Sequence, residues 1–396
     1  MSVLSNALTS SDAREREAAT MIPVYDQLPF VPVRGDGCNL ITEDGRRILD
    51  LYGGHAVAAL GYGHRRLVDA ISRQTGTLLF QSNAVALDVR ATAAERLLAV
   101  APANLGHVFF VSSGTEANEN ALRIACIATD RQKVLAVTHG FHGRTAAAGA
   151  VTWQSDNWYG FPNKPFDVDF IPRNDADAAR RMIDDTVAAV IVEPIQGVAG
   201  AFDLSHAFLH SLRDCTARAD ALLIADEVQT GMGRSGQFFA MDDIGIEPDI
   251  LTSAKALAGG LPCGAVLCTE ELAVQFGTGD LGSTFGGGPI AAAAIVAVID
   301  TIEDEGLLGN VREREAQIRE QCLVGPVRSI QGKGLLLGLV CDRPAIDVRD
   351  ALLDNDILTG ASADPNVLRI LAPLVMRSTH VDRLARTLAS LAPRNT

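Results

Sequence analysis

From about residue 107 the chain alternates short aliphatic runs with helical stretches. The runs "HVFFVSS", "KVLAVTH", "AAVIVEPI", "ALLIADE", "DILTSAK" and "GAVLCTE" are mostly β-branched or aliphatic and nearly unbroken by polar positions. Strands of that kind, alternating with helices, predict a largely parallel sheet covered on both faces. A helix is predicted from about Thr115 through "EANENALRIACIA", directly after the first of these strands. Earlier, "LITEDGRRILDLY" sets two short runs around Asp44-Gly45, a strong hairpin signal. Beyond about residue 290 the pattern changes. "PIAAAAIVAVI" (Pro289 to Ile299) reads as a buried helix, too short to cross a bilayer, and "GPVRSIQGKGLLLGLVC" and "VLRILAPLVM" continue as a second α/β unit. The expected architecture is α/β: an N-terminal arm and small hairpin over residues 1–50, packing with the small domain, a large domain over 51–290 with a mainly parallel central sheet, and a smaller C-terminal α/β domain over 291–396.

Composition narrows the class. The 396 residues are 47% hydrophobic and 21% charged, as in an ordinary globular protein, and the 36 glycines suit an α/β enzyme with many tight turns. A net charge of −14 without any Lys/Arg-rich run argues against nucleic acid as a partner. The first twenty residues hold no apolar stretch of the length a secretory signal needs, and no membrane association is expected. Seven scattered cysteines, never spaced as CxxC, read as reduced thiols in a cytoplasmic protein.

In parallel sheets ligands gather at the carboxyl ends of the strands, and the chemistry of this chain collects there. "ALLIADE" ends in Asp226, where a carboxylate follows a buried run. "VSSGTEAN" puts Ser112, Ser113, Gly114 and Thr115 at a strand-to-helix junction, which is both a good N-cap and an anion cradle. "THGFHGRT" places Phe141 in a polar, glycine-flanked loop, as a cover for a flat ligand would be, with Arg144 as a fork for a carboxylate. His139 and His142 invite a metal, but no cluster of carboxylates or cysteines accompanies them, so no metal is expected. "DILTSAKALAGG" ends in Lys255 among small apolar residues, where desolvation lowers the amine's pKa and makes it nucleophilic toward aldehydes. A phosphate cradle, a ring cover, an acid and a lysine together meet the needs of pyridoxal 5'-phosphate, whose ring nitrogen an acid keeps protonated.

With those residues in view, the chain resembles the class III, ornithine-type aminotransferases of PLP fold type I, and among them the acetylornithine group. The resemblance runs through "LDLYGGHAVAALGYGH", "SSGTEANENALRIA", "HGFHGRT", "VEPIQG", "IADEVQTGMGRSG", "SAKALAGGLPCGA", "GSTFGGGP" and "VLRILAPL" in family order. It implies that Lys255 holds the cofactor covalently and shuttles protons, that Asp226 pairs with the pyridine nitrogen, and that Gln229 contacts the ring's phenolic oxygen. Ser113, Gly114 and Thr115 would serve the phosphate and Phe141 would stack on the ring, while Glu193, Glu227 and Val228 would complete the cofactor's surroundings. Ser283 and Thr284 would reach across a homodimer interface, Ser283 towards substrate and Thr284 onto the neighbouring phosphate. Arg144 would take the substrate's α-carboxylate and Arg369 the second carboxylate of 2-oxoglutarate or glutamate. The implied reaction is ping-pong transfer of the ω-amino group of an N-acylated basic amino acid, N2-acetylornithine foremost, to 2-oxoglutarate.

Two positions depart from the family pattern. Val198 stands where a glutamate usually pairs with the second arginine, so Arg369 must find another acceptor, turn to solvent, or meet a substrate carboxylate. Arg65 stands where proline is common. Val198 keeps other donors open: a succinylated relative, 4-aminobutyrate, a diamine or another ω-amine. A nicotinamide-dependent oxidoreductase would need GxGxxG directly after the first strand, which "SSGTEAN" does not supply.

Overall fold

The computed structural model describes residues 10–391. The first nine residues of the predicted N-terminal arm and the last five of the chain lie outside the described residues. The centre is a seven-stranded sheet in the order Leu105–Val111, Gly264–Thr269, Ile250–Ser253, Leu222–Asp226, Val187–Val192, Lys133–Val137, Asp167–Ile171. Leu222–Asp226 pairs in parallel with both neighbours, and Gly264–Thr269 is antiparallel to both of its own. The six predicted strands are present, and their inner members are buried on both faces, which is why their sequences show no alternation. Asp167–Ile171 was not foreseen. It is an edge strand, "DVDFI", with acids on its exposed positions, and so it lacks the continuous apolar signal.

The helix Gly114–Thr129 starts where Ser113 Oγ accepts the Glu116 N–H at 3.2 Å. Pro289–Asp304 begins with proline at its first turn and buries most of its apolar length against helices Asp88–Ala99 and Arg65–Thr77. Arg65 opens the latter helix and pairs with Asp69 one turn on, at 3.5 Å.

The hairpin predicted at Asp44-Gly45 joins Asn39–Thr42 to Arg47–Asp50, and Arg47–Asp50 also pairs in parallel with Ile357–Leu358 from the far end of the chain. Val327–Lys333, Leu336–Cys341 and Val367–Ile370 form a separate antiparallel sheet. All seven cysteines are free thiols, and among the described residues no helix is long and apolar enough to cross a membrane.

A left-handed turn ties these parts together near the sheet's carboxyl edge. Gly53, Gly54, His55 and Ala56 have φ of 55°, 56°, 64° and 66°, a costly conformation for the last two. Asp50 holds the turn by accepting from the N–H groups of Tyr52 (2.7 Å) and Gly53 (2.9 Å) and from the Tyr62 hydroxyl (2.5 Å). Fully buried Arg234 donates to the carbonyls of Leu335 and Ala372 from one nitrogen and to that of Ala56 from the other. One planar fork thus serves three segments from two separate nitrogens, a span that a lysine's single nitrogen lacks. Arg234→Lys should cost about 2 kcal/mol through unmet carbonyls, read as a lower chemical-denaturation midpoint. An unchanged midpoint would mean that those carbonyls find other donors.

Candidate active site

Five strand ends and the loops that follow them enclose a cleft of about 600 Å³. Asp226 closes strand Leu222–Asp226 at 3% exposure, and a buried anion there needs donors. It has three. Oδ2 accepts from His142 Nδ1 and Asn118 Nδ2, each at 2.7 Å, and Oδ1 accepts from the Val228 N–H at 3.0 Å. Asn118 also accepts from Thr252 Oγ1 at 2.7 Å and donates to the His142 carbonyl at 2.7 Å. Helix Gly114–Thr129, the loop after Lys133–Val137 and strands Leu222–Asp226 and Ile250–Ser253 therefore meet on one carboxylate.

Lys255 lines the same cleft two residues beyond strand Ile250–Ser253, and its backbone sits at φ 45°, a strained position for a side-chain-bearing residue. Burial lowers its pKa below the ordinary lysine value, while Asp226 and Glu193 draw it back up. Glu193 follows strand Val187–Val192, and its carboxylate accepts from the N–H groups of Phe141 (2.8 Å) and Gly197 (3.2 Å). Burial and then the charge of Asp226 push its pKa up. Glu193 thus orients the Phe141 loop from behind.

At the opposite wall, Ser113, Gly114 and Thr115 line the cleft at the N-terminus of a 16-residue helix. Here the N-cap and the anion cradle coincide: Ser113 Oγ caps the helix, and Thr115 Oγ1 lies 3.0 Å from Thr145 Oγ1. A Cβ on Gly114 would fall 2.7 Å from Val228 Cγ1 and 3.3 Å from Ala254 Cβ, so glycine keeps the backbone open at this point. Gln229 also lines the cleft, and its side-chain oxygen is buried without a partner. Arg144 lies exposed over the Trp158 ring, 4.6 Å from its centroid, and 6.0 Å from that of Phe141.

Four predicted residues lie outside this wall. Glu227 is a correction to the predicted cofactor contacts. Its carboxylate turns into the core, accepting from the N–H groups of Ala240 (2.9 Å) and Met241 (2.8 Å) and from the Thr230 hydroxyl at 2.5 Å. The alternation of a strand end sends Asp226 and Glu227 to opposite sides. Ser283 and Thr284 stand on a surface loop away from the cleft of their own chain, with Thr284 exposed and Ser283 accepting from the Gly286 N–H. Arg369 lies just behind the cleft, 6% exposed. It donates to the carbonyls of Ala361 (2.7 Å) and Gly197 (3.2 Å) and to the Tyr52 hydroxyl (2.9 Å), which is 2.9 Å from His55 Nδ1. Neutral acceptors replace the carboxylate that Val198 does not provide.

Sequence reasoning missed His142 and Asn118 as partners of Asp226. The only signal for His142 was its loop, where it suggested a metal ligand. Among the described residues no group of three His, Cys, Asp or Glu side chains is placed to hold a metal ion.

Comparison with known proteins identifies the family. The family model described as "Aminotransferase class-III" matches residues 20–391. Acetylornithine aminotransferase of Mycobacterium tuberculosis is 39% identical over 391 residues, covering 98% of this chain and 97% of the relative. Ornithine aminotransferase of Toxoplasma gondii superposes with a TM-score of 0.91 at 28% identity, covering 97% of this chain and 95% of that one. Acetylornithine aminotransferase of Elizabethkingia anophelis gives a TM-score of 0.87 at 27% identity, with 97% and 98% covered. The chain belongs to the class-III aminotransferase family and has PLP fold type I, so it moves an amino group between an amino donor and a keto acid.

The corrected role of Glu227 has a measurable consequence. In Glu227→Gln the amide nitrogen must face a backbone or hydroxyl donor whichever way it turns, which should cost about 2 kcal/mol of stability. Chemical denaturation checks this, and a loss of turnover at undiminished stability would return Glu227 to the cleft.

Proposed function

We propose that the enzyme transfers the ω-amino group of an α-N-acylated basic amino acid, the class of N2-acetylornithine, to 2-oxoglutarate, using pyridoxal 5'-phosphate. The observation that carries this is Asp226, a buried carboxylate locked by His142 and Asn118, facing the same cleft as a desolvated Lys255. The names of the relatives support the donor class.

The residues present fit the cofactor. Gly114 leaves room for a group at the helix N-terminus, Ser113 and Thr115 add hydroxyls beside it, and the partnerless Gln229 oxygen marks an unfilled polar position. Phe141 and Val228 supply the apolar faces for a flat ring. When bound, the cofactor acts as an electron sink for the carbon that bears the amine. Asp226 holds the proton on the ring nitrogen, since an anion with fixed donors on both oxygens does not turn away. Lys255 Nζ, with its lowered pKa, takes the proton from the substrate carbon and returns it. Arg144, not engaged by any carboxylate among the described residues, takes the donor's α-carboxylate, and Arg369 takes the distal carboxylate of 2-oxoglutarate. Donor and acceptor use one cleft in turn, as a ping-pong reaction requires.

We also read the enzyme as a homodimer. Asn83 ties its segment to the carbonyls of Ser283 (3.1 Å) and Gly286 (3.0 Å), and Phe80 and Phe285 pack at 5.2 Å while 39% and 67% exposed. With Leu78, Leu79 and Val85 also exposed, this is an apolar surface suited to a second copy, which would receive Thr284 at its cofactor and Ser283 near its substrate. The division at 50 and 290 into arm, large and small domains belongs to the same proposal, as does a cytoplasmic location, which seven free thiols suit.

Borohydride treatment of the protein loaded with pyridoxal 5'-phosphate should fix the cofactor to the peptide containing Lys255, read by mass. Lys255→Ala should take no label and lose at least about a hundredfold in kcat. Label on another lysine would overturn the assignment. Sedimentation should give a dimer, and Phe285→Asp should produce an inactive monomer; a fully active monomer would discard the shared site.

A further inference from the structure

One arginine outside the cleft binds the surface loop that carries Ser283 and Thr284. Arg90 stands in the first turn of helix Asp88–Ala99, where the helix dipole disfavours a cation. It pairs with no carboxylate among the described residues. Its partners are four backbone carbonyls. Nε donates to Gly287 at 2.9 Å, Nη1 to Val85 at 3.1 Å, and Nη2 to Gln81 at 3.3 Å and Ser82 at 3.2 Å. Neither helix stability nor ion pairing accounts for an arginine here. A planar fork that fans its donors over two loops does.

The base of the 283–288 loop is fixed on every side. Asn83, in the first of the two segments that Arg90 binds, donates to the carbonyls of Ser283 (3.1 Å) and Gly286 (3.0 Å). A Cβ on Gly286 would collide with the Phe110 carbonyl of the edge strand Leu105–Val111. Gly287 has φ 67°, and a Cβ there would fall 3.0 Å from the Phe110 ring and 3.2 Å from the Arg90 stem. The loop closes on itself as well: Ser283 Oγ accepts from the Gly286 N–H and the Phe285 carbonyl from the Gly288 N–H, each at 3.0 Å. Only the tip projects. Thr284 and Phe285 are exposed, and the Thr284 hydroxyl has no partner among the described residues. A tip presented from so firm a base reaches a second molecule already ordered, which lowers the entropy cost of the contact.

We infer that Arg90 is a positioning residue for the cofactor site of the other subunit: by fixing the base of the 283–288 loop it sets where Thr284 meets the partner's phosphate. This rests on the homodimer proposed above. Arg90 touches neither cofactor nor substrate, and its influence runs through Thr284, in trans.

The readout is cofactor affinity, taken as the pyridoxal 5'-phosphate concentration at which borohydride fixes half of the label on Lys255. Arg90→Gln should weaken it at least about tenfold, the worth of one charge-assisted hydrogen bond to phosphate, while sedimentation still gives a dimer. Arg90→Lys should fare no better, because the charge alone does not hold the loop. Thr284→Ala should weaken affinity as much, and adding Arg90→Gln to it should change nothing further. Mixed dimers then give the direction. With Lys255→Ala paired to Arg90→Gln, the one lysine that takes label faces a native loop and should show wild-type affinity. With Lys255→Ala/Arg90→Gln paired to the wild type, that lysine faces the loosened loop, and affinity should fall. Unchanged affinity in Arg90→Gln, full rescue by lysine, additive losses, the reverse pattern in the mixed dimers, or a monomeric Arg90→Gln each overturns the inference and leaves the homodimer standing. A monomeric wild type would bring down the homodimer, and the inference with it.

Discussion

A carboxylate buried to 3% exposure at the end of a central strand organises this molecule. Its negative charge cannot be left unsolvated, so donors must converge on it, and those donors come from elements far apart in sequence. Asn118 arrives from a helix, His142 from a loop two strands away in the sheet, and Val228 from the turn that follows. Asn118 also binds Thr252, three residues before Lys255. The same hydrogen bonds that neutralise the cost of Asp226 therefore set where the lysine stands. Satisfying one buried ion and building the cleft are a single structural event, and the nearby Asp226 carboxylate opposes the desolvation that lowers the pKa of Lys255.

This explains why the site was largely legible in the sequence. A parallel sheet places all its carboxyl ends on one edge, so residues following "VFFV", "VLAV", "VIV", "LLIA" and "DILTS" converge whatever the strand order. Lys255, Asp226, Gly114 and Phe141 needed only that rule, whereas Glu193 came with the family resemblance. What it could not supply was which way a side chain turns or which neighbour it meets. Glu227 adjoins Asp226 and carries the same charge, yet serves the core. His142 and Asp226 are neighbours only because strands Lys133–Val137 and Leu222–Asp226 flank Val187–Val192. The strand Asp167–Ile171 escaped because an edge position permits acids that a central strand does not. Arg234 lay inside a turn-rich stretch, and nothing local announced that it bridges three segments.

Arg369 shows the same separation between a charge and the means of supporting it. The family pattern sets a glutamate against this arginine, and a valine in that place raised the expectation of a stranded cation. The fold instead surrounds it with two backbone carbonyls and the Tyr52 hydroxyl, which in turn has His55 Nδ1 as its partner. Tyr52 accepts from Arg369 and lies within hydrogen-bond distance of His55 Nδ1, so the three groups form one chain. Burial and the cations Arg369 and Lys255 lower the pKa of His55, which favours its neutral form beside them.

The arrangement has a structural cost that falls on the left-handed turn. His55 can reach Tyr52 because residues 53–56 coil in the unfavoured hand, and two of them carry side chains there. Asp50 and Arg234 hold that turn from either side, one accepting its N–H groups and the other donating to its last carbonyl. A charged gate opposite Arg369 would compete with any incoming carboxylate and would have to swing away. Neutral acceptors attract less strongly, so a carboxylate can meet Arg369 without first displacing an ion pair. With Val198 in the place of an acid, Arg369 is parked on neutral groups, and those groups are held by the same strained turn that Asp50 and Arg234 secure.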